Sequence, residues 1–517
     1  MALLTRRALS TSLDGVAHAD PVPRPIKVLQ IGDGVFLRAF VDWMIDVANE
    51  KGIFDGGVAI AKARQGGLSH AFEAQENLYT VLLRGRVDGR EVVDRRIVST
   101  VQLMLDPHEQ WGRFLKIAAS PDLRFVVSNT TEAGIVDVAE PFDPDLCPTS
   151  FPAKVAELLW ARWSALGPDA PGLVFLPCEL IEANGATLRR IVLDQARCSR
   201  LDAAFVAWIE ANNVFADTLV DRIVPGFPAT EKEALFRQWG YEDPLAVAAE
   251  PFHVWVIEGP KAIAAELPLD KAGLNVVWTD DLTPYRTQKV RILNGGHTST
   301  ALAAYLAGLD TVEELTKDPQ FATLLSRVLF DEIAPQVPLP DPARRTYAAT
   351  VLERFANPFI RHELLSIAVN SVSKWRVRVL PTVEDWVAKG KPTPDGLAFS
   401  LAALLWFYRG ERQADGEVGR RKRGSYPIRD EAHVLDVMAS AWVAYAPGEA
   451  TAIARRLIAE QKLWGRDLTT VSDLADKVEK AIAAIEEFGV LGALDRLDLA
   501  AFDSGQVLDG VKLATSS

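Results

Sequence analysis

A lysine, an asparagine and a histidine stand at positions 289, 294 and 297, inside the run Thr283-Pro284-Tyr285-Arg286-Thr287-Gln288-Lys289-Val290-Arg291-Ile292-Leu293-Asn294-Gly295-Gly296-His297-Thr298. Moving a hydride to or from a carbinol carbon needs a group that takes or returns the alcohol proton. Without a metal ion, an amine of lowered pKa can do this. Lys289 falls within two turns of an expected helix N-terminus and beside Arg286 and Arg291, where one more positive charge is disfavoured. Asn294 and His297 can donate hydrogen bonds to an oxygen on which charge develops. The same spacing also fits an ordinary amphipathic helix with an exposed Lys289 and a core His297.

The element that would carry these side chains is readable. Thr283 is a good N-cap, with Pro284 at the first helical position. At about 100° per residue, Asn294 lies about 140° and His297 about 80° from Lys289, so the three share one side with His297 between the others. Gly295 and Gly296 cost such a helix about 2 kcal/mol in propensity, which points to close approach by a ligand or another backbone.

A second candidate site lies near the N-terminus. Ile26-Lys27-Val28-Leu29-Gln30-Ile31 reads as a buried strand, Gly32-Asp33-Gly34 as a turn, and Val35 to Ile45 as a helix. A GxG turn between strand and helix lets a pyrophosphate approach the backbone at a helix N-terminus. The third glycine of the dinucleotide fingerprint is replaced by Leu37, and a bare GxG also fits a plain structural turn. The end of the second expected strand reads Ala61-Lys62-Ala63-Arg64, without the usual ribose-binding acid. Lys62 or Arg64 could face a 2′-phosphate, so NAD and NADP both remain open; the two cations equally fit a solvated face.

Further short apolar strands follow, Arg124 to Ser128 before Asn129 and Thr130, and Leu173 to Leu176 before Pro177-Cys178-Glu179. Strands alternating with helices indicate an α/β fold with a largely parallel sheet. From Thr283 onward helical spacing dominates, with helices expected over Leu364–Val372, Leu397–Tyr408, His433–Tyr445, Thr451–Gln461 and Asp473–Phe488. The expected organisation is an N-terminal tail over 1–24, a dinucleotide-binding domain over 25–282 and a mostly α-helical substrate and catalytic domain over 283–517. The basic run Arg420-Arg421-Lys422-Arg423 reads as a solvated, peripheral loop.

Composition narrows the function classes. With 56 Lys and Arg against 69 Asp and Glu, the net charge of −13 excludes nonspecific nucleic-acid binding as a global property. The three cysteines form no CxxC, and no two of the seven histidines stand at HxxxH spacing, so neither a disulfide framework nor a metal site is indicated and a reducing, cytoplasmic setting fits. No run of 18 apolar residues occurs, so no membrane span is expected.

The sequence resembles the polyol-specific long-chain dehydrogenase/reductase family, the mannitol dehydrogenase group. That family's Lys-x4-Asn-x2-His motif stands here as Lys289, Asn294 and His297, and VLQIGDGVFLRAFVDWMID, RFVVSNTTEAGI, PCELIEANG and NPFIRHELLSIAVNSVSK are similar in collinear order. The resemblance implies a Rossmann-type N-terminal domain and metal-independent, NAD-linked, reversible reduction of D-tagaturonate to D-altronate in hexuronate catabolism. Lys289 would be the general acid/base, with Asn294 and His297 holding the carbonyl oxygen. Val28, Ile31, Gly32, Asp33, Gly34, Val35, Phe36 and Arg38 would line the cofactor. Asn129 and Thr130 would face its nicotinamide side.

Substrate contacts are expected from Glu179 and from a cation among Lys374, Arg376 and Arg361, because an acidic protein must create local positive potential to bind a sugar acid. Polyol-oxidising members carry an asparagine where Leu180 stands and an arginine where Ser366 stands. Both departures favour a uronate over mannitol. A fructuronate or polyol dehydrogenase is the alternative. A nucleotide-binding protein without catalysis is the reading from another class, against which the intact lysine argues.

Overall fold

The structure is a computed structural model; it describes residues 1–13, 16–66, 69–131, 133–414, 416–443 and 445–497. The chain divides into two compact units. One comprises Met1–Gly85 and Glu91–Leu282; the other comprises Arg86–Arg90 and the chain from Thr283 onward. Residues 498–517 of the expected second domain lie outside the described residues.

The first unit is built on six parallel strands: β1 (Ile26–Ile31), β2 (Gly57–Ala61), β3 (Val101–Leu105), β4 (Phe125–Ser128), β5 (Val174–Pro177) and β6 (Val214–Phe215). Their spatial order is β3-β2-β1-β4-β5-β6, the doubly wound dinucleotide-binding order with its switch point between β1 and β4. The central strands are near-continuous apolar runs because both faces are covered. Along β1, Val28 enters one core with Phe40 and Trp255, and Leu29 enters the other with Phe114 and Val126, as the two-residue period of a strand requires.

The expected N-terminal tail is corrected. Ala2–Leu3 pairs in parallel with Tyr241–Glu242, and Thr5 caps the helix Arg6–Ser12. Leu4, Leu9 and Leu13 are buried against Trp239 and Tyr241. Three leucines repeating at four- and five-residue intervals supply an apolar face, and burying it ties this segment into the first unit.

The second unit is mostly helical around one large core. The helices Asp395–Phe407, Ala432–Trp442, Ala450–Ala459 and Leu474–Leu494 match the expected apolar spacings. The basic run is corrected from a peripheral loop to part of a three-stranded antiparallel meander, Gly410–Gln413, Gly416–Arg421 and Gly424–Ile428. Arg421 is its anchor: the guanidinium donates to the Tyr305 and Leu309 carbonyls at 3.0 Å each, pairs with Asp310, and lies 3.8 Å over the Tyr305 ring. Among the described residues, no helix is long and apolar enough to cross a membrane.

Candidate active site

The expected straight helix from Thr283 is interrupted. It runs as an α-helix over Thr283–Gln288, a π-helix over Lys289–Asn294 and an α-helix over Gly295–Ala307. The Gly295 N–H donates back to the Val290 carbonyl, an i→i+5 bond. Such a wider turn takes more residues per revolution, so Asn294 is brought nearer to the line of Lys289 than the about 140° of a regular helix. His297 follows three residues later on the same face. The π-turn therefore aligns the three side chains more closely than the regular wheel predicts. Single π-turns inside α-helices recur at functional sites.

The glycine pair serves packing. A Cβ on Gly296 would meet the Leu329 side chain at 2.7 Å, and one on Gly295 would meet the Arg378 carbonyl at 3.3 Å. Neighbouring segments thus press against the helix at the point where it widens.

His297 has a tightly defined setting. Its ring stacks on Phe355 with centroids 3.8 Å apart and planes 10° apart, and His362 meets it edge-on at 5.0 Å and 80°. Nε2 is buried and accepts or donates no hydrogen bond among the described residues. Burial first, then the charges of His362, Arg354, Arg378 and Lys374, hold its pKa well below the ordinary histidine value. His297 is a neutral imidazole at physiological pH, able to offer one N–H to a substrate oxygen.

Of the three cations considered for a substrate carboxylate, only Lys374 belongs to this cluster. Its amine donates to the Ile367 carbonyl at 3.0 Å. Burial, followed by Arg378, lowers its pKa. Arg361 is corrected: it is exposed and pairs with Glu363 at 2.6 Å. Arg376 is corrected too, because it is exposed and is not among the charges that act on His297. Arg378 does belong to the cluster: its Nη1 donates to Thr298 Oγ1 at 3.4 Å and its charge acts on His297. Arg291 is spent on Asp385.

In the first unit the glycine turn has its own geometry. Gly32 has φ +122°, and a Cβ there would sit 2.9 Å from the Asn129 carbonyl oxygen, so only glycine fits. A Cβ on Gly34 would meet nothing within 4 Å. Gly34 opens onto free space at the start of the helix beginning at Val35, which has no side-chain cap. Free N–H groups facing open space fit a pyrophosphate. Beside the turn, a cleft of about 510 Å³ is lined by Ile31, Arg64, Thr130, Gly134 and Phe151, among others. Phe36 stacks on Phe40, and Asp33 and Val35 border solvent.

Three assignments are revised here. The Val28 side chain is core. Arg38 is spent inside the unit, donating to the Asp33 carbonyl at 3.1 Å and the Leu245 carbonyl at 2.5 Å, with its guanidinium 5.3 Å from the Tyr79 ring. It fixes the turn instead of lining the cofactor. Glu179, expected at the substrate, is 2% exposed and accepts from Ser128 Oγ, Thr130 N and Thr130 Oγ1 at 2.8–3.0 Å. It braces the Asn129-Thr130 turn. Lys62 is buried 3.9 Å from Asp106, whereas Arg64 is exposed at the cleft.

Sequence reasoning missed the polar layer behind the turn. Asp42 accepts from the Tyr79 hydroxyl at 2.8 Å and from Gln30 Nε2 at 3.5 Å, and Gln30 Nε2 also donates to the Gly32 carbonyl at 3.0 Å. Burial pushes the Asp42 carboxyl up to about 7, against the lowering effect of these hydrogen bonds and Arg38. Asp42 closes a second π-helical segment, Arg38–Asp42, between Val35–Leu37 and Trp43–Glu50.

A parallel sheet in this order with a glycine turn at its switch point, together with a helical unit carrying a lysine, an asparagine and a neutral histidine on one face, defines a nicotinamide-linked alcohol dehydrogenase of two-domain build. Residues 26–271 match the mannitol dehydrogenase Rossmann domain and residues 281–486 the mannitol dehydrogenase C-terminal domain. The chain belongs to the mannitol dehydrogenase family. It is 41% identical over 476 residues to the altronate oxidoreductase of Halalkalibacterium halodurans, covering 91% of this chain and 93% of that one. It is 40% identical over 475 residues to that of Yersinia enterocolitica, covering 91% and 96%. Among solved structures, a substrate-free D-sorbitol dehydrogenase matches with a TM-score of 0.75 at 25% identity, over 95% of this chain and 100% of that one. Pseudomonas fluorescens mannitol 2-dehydrogenase, solved with NAD and D-mannitol, shares the fold at a TM-score of 0.66 and 23% identity, over 96% and 99%.

Proposed function

We propose that the protein is an NAD(H)-dependent altronate oxidoreductase, interconverting D-tagaturonate and D-altronate. Identity of 40–41% across nine-tenths of the chain to altronate oxidoreductases carries this reading. Gly32, Gly34 and the helix beginning at Val35 would hold the dinucleotide's pyrophosphate, and the Asn129-Thr130 turn braced by Glu179 would flank it. When bound, the nicotinamide supplies the hydride in reduction and accepts it in oxidation.

The proton chemistry belongs to the chain. In reduction, the Lys289 ammonium gives its proton to the carbonyl oxygen as the carbon gains the hydride, leaving a neutral amine that solvent reprotonates. In oxidation the amine takes the alcohol proton. Asn294 and neutral His297 hold that oxygen by hydrogen bonds, which strengthen as negative charge develops on it. Lys374 and Arg378 supply positive potential for a substrate carboxylate. The unpaired cysteines Cys147, Cys178 and Cys198 support a reducing, cytoplasmic setting.

The test is oxidation of NADH and NADPH with tagaturonate, fructuronate, fructose and xylulose. Preferred turnover of tagaturonate is expected; preferred turnover of fructose would refute the assignment. Lys289→Ala is expected to lose most activity while still quenching its tryptophan fluorescence on binding NADH. Retained activity would remove the lysine from the chemistry.

A further inference from the structure

His362 stands out among side chains to which the reading above gives no role. It sits on the segment entering the helix Leu364–Ile367, and its backbone is fixed at both ends. The Val312 N–H donates to its carbonyl at 2.9 Å, its own N–H donates to the Ile360 carbonyl at 3.1 Å, and the neighbouring Glu363 bridges to Thr311. Its ring meets His297 edge-on at 5.0 Å, while Phe355 covers a face of His297 at 3.8 Å. The side chain is partly exposed, and neither ring nitrogen is engaged by or sealed among the described residues. An imidazole held this firmly, with open nitrogens, beside a histidine that binds the reacting oxygen, is placed to touch the same substrate.

The charges around it specify what part of the substrate that is. The groups facing His297 are His362, Arg354, Arg378 and Lys374; Lys374 also faces His362. Lys374 itself is faced by Arg378 and, on the acidic side, by Asp430. The balance is cationic, which suits a carboxylate and not a neutral polyol end. Lys374 already gives one hydrogen to the Ile367 carbonyl, and its ammonium keeps two for a ligand.

We propose that His362 is a substrate-binding residue that, together with Lys374, holds the carboxylate of the sugar acid. This rests on the function proposed above. It carries a consequence for protons. Burial and then Lys374 lower the His362 pKa in the free protein, so the ring is neutral near pH 7. A bound carboxylate favours the charged form and raises that pKa. Binding a sugar acid therefore takes up a proton from solvent. Affinity is greatest at low pH and falls as pH rises through the window between the lowered free value and the raised bound value.

The test is calorimetric titration with D-altronate at pH 6 and pH 8, in two buffers of different ionisation enthalpy, of NAD-loaded protein carrying Lys289→Ala in every variant so that the ligand is bound and not oxidised, alongside steady-state kinetics with Lys289 intact. The parent is expected to show proton uptake and weaker binding at pH 8. His362→Asn is expected to lose the uptake and raise KM and Kd for altronate roughly ten- to a hundredfold, the range for a lost hydrogen bond to a charged group, with the loss falling on KM more than on kcat. His362→Phe keeps an aromatic edge against His297 but has no nitrogen, and is expected to show the same rise. If Phe restores parental KM, the role is packing and the proposal fails. If both variants bind altronate as the parent does, with unchanged proton uptake, it also fails. A parent that turns over fructose but not altronate overturns the underlying function instead, so the two failures are distinguishable.

Discussion

The Asp42 carboxyl makes a quantitative prediction about stability. It is fully buried, it tops the layer that supports Gly32 through Gln30, and its pKa stands at about 7 against 3.8 for an ordinary aspartate. A carboxyl whose folded pKa is raised binds its proton more tightly in the folded state. Its contribution is therefore complete below the unfolded pKa and is lost as pH rises through the folded one. A shift of about three units corresponds to about 4 kcal/mol between pH 3 and pH 8, with a slope of at most about 1.4 kcal/mol per pH unit. Asp42→Asn abolishes the titration. The asparagine can still accept from Tyr79, and it carries its amide donor where the protonated acid carries its own on Oδ1, which lacks a partner in either case. Urea midpoints should thus show variant and parent close to each other at pH 5 and the variant more stable by about 3 kcal/mol at pH 8. A difference between variant and parent that stays constant from pH 5 to pH 8 would refute the protonated Asp42.

Two further changes probe the supports of each unit. Glu179→Ala frees the Thr130 N–H and hydroxyl and the Ser128 hydroxyl; NADH affinity measured by fluorescence should fall about tenfold while the helical unit's thermal transition stays in place, and unchanged affinity would show that the turn needs no brace. Arg421→Ala should destabilise the protein by about 2 kcal/mol through loss of the Tyr305 and Leu309 bonds and the ring contact. Arg421→Lys should recover less than half of that, because an ammonium cannot fill a planar fork; full recovery would reduce the anchor to simple charge.

The doubly wound sheet was legible because buried parallel strands are apolar runs and helices between them are amphipathic. The strand ends Ile31 and Ser128 fell where the turns Gly32 and Asn129 announced them, and the strand expected to end at Leu176 runs one residue further, to Pro177. What lay outside the pattern was the polar layer. Asp42 and Asp46 stand among Ala39, Phe40, Val41, Trp43, Met44, Ile45, Val47 and Ala48, all buried, and two carboxylates in such an apolar run are a signal for buried hydrogen bonding. The leucines at 4, 9 and 13 carried a similar signal against a loose N-terminal tail.

The cation assignment was not legible from the periodicity of the helix that carries it. Val372, Trp375 and Val379 are buried at three- and four-residue intervals and mark the core face of the helix Ser371–Arg378 and its cap. On a wheel of about 100° per residue, Lys374 and Arg378 lie about 40° apart on one side, whereas Arg376 lies about 160° from Lys374. Measured from that core face, however, Arg376 lies about 70° away and Lys374 about 130°, so the wheel alone favours Arg376; it is the structure's burial and the nearness to His297 that select Lys374 and Arg378. A regular wheel leaves Lys289 and Asn294 about 140° apart, on one side but at its edges. The π-turn over Lys289–Asn294 narrows that spread, and Leu329 and the Arg378 backbone pack onto Gly296 and Gly295 directly after it. The shared side was therefore legible in the spacing, whereas the widened turn, which departs from the regular period, was not.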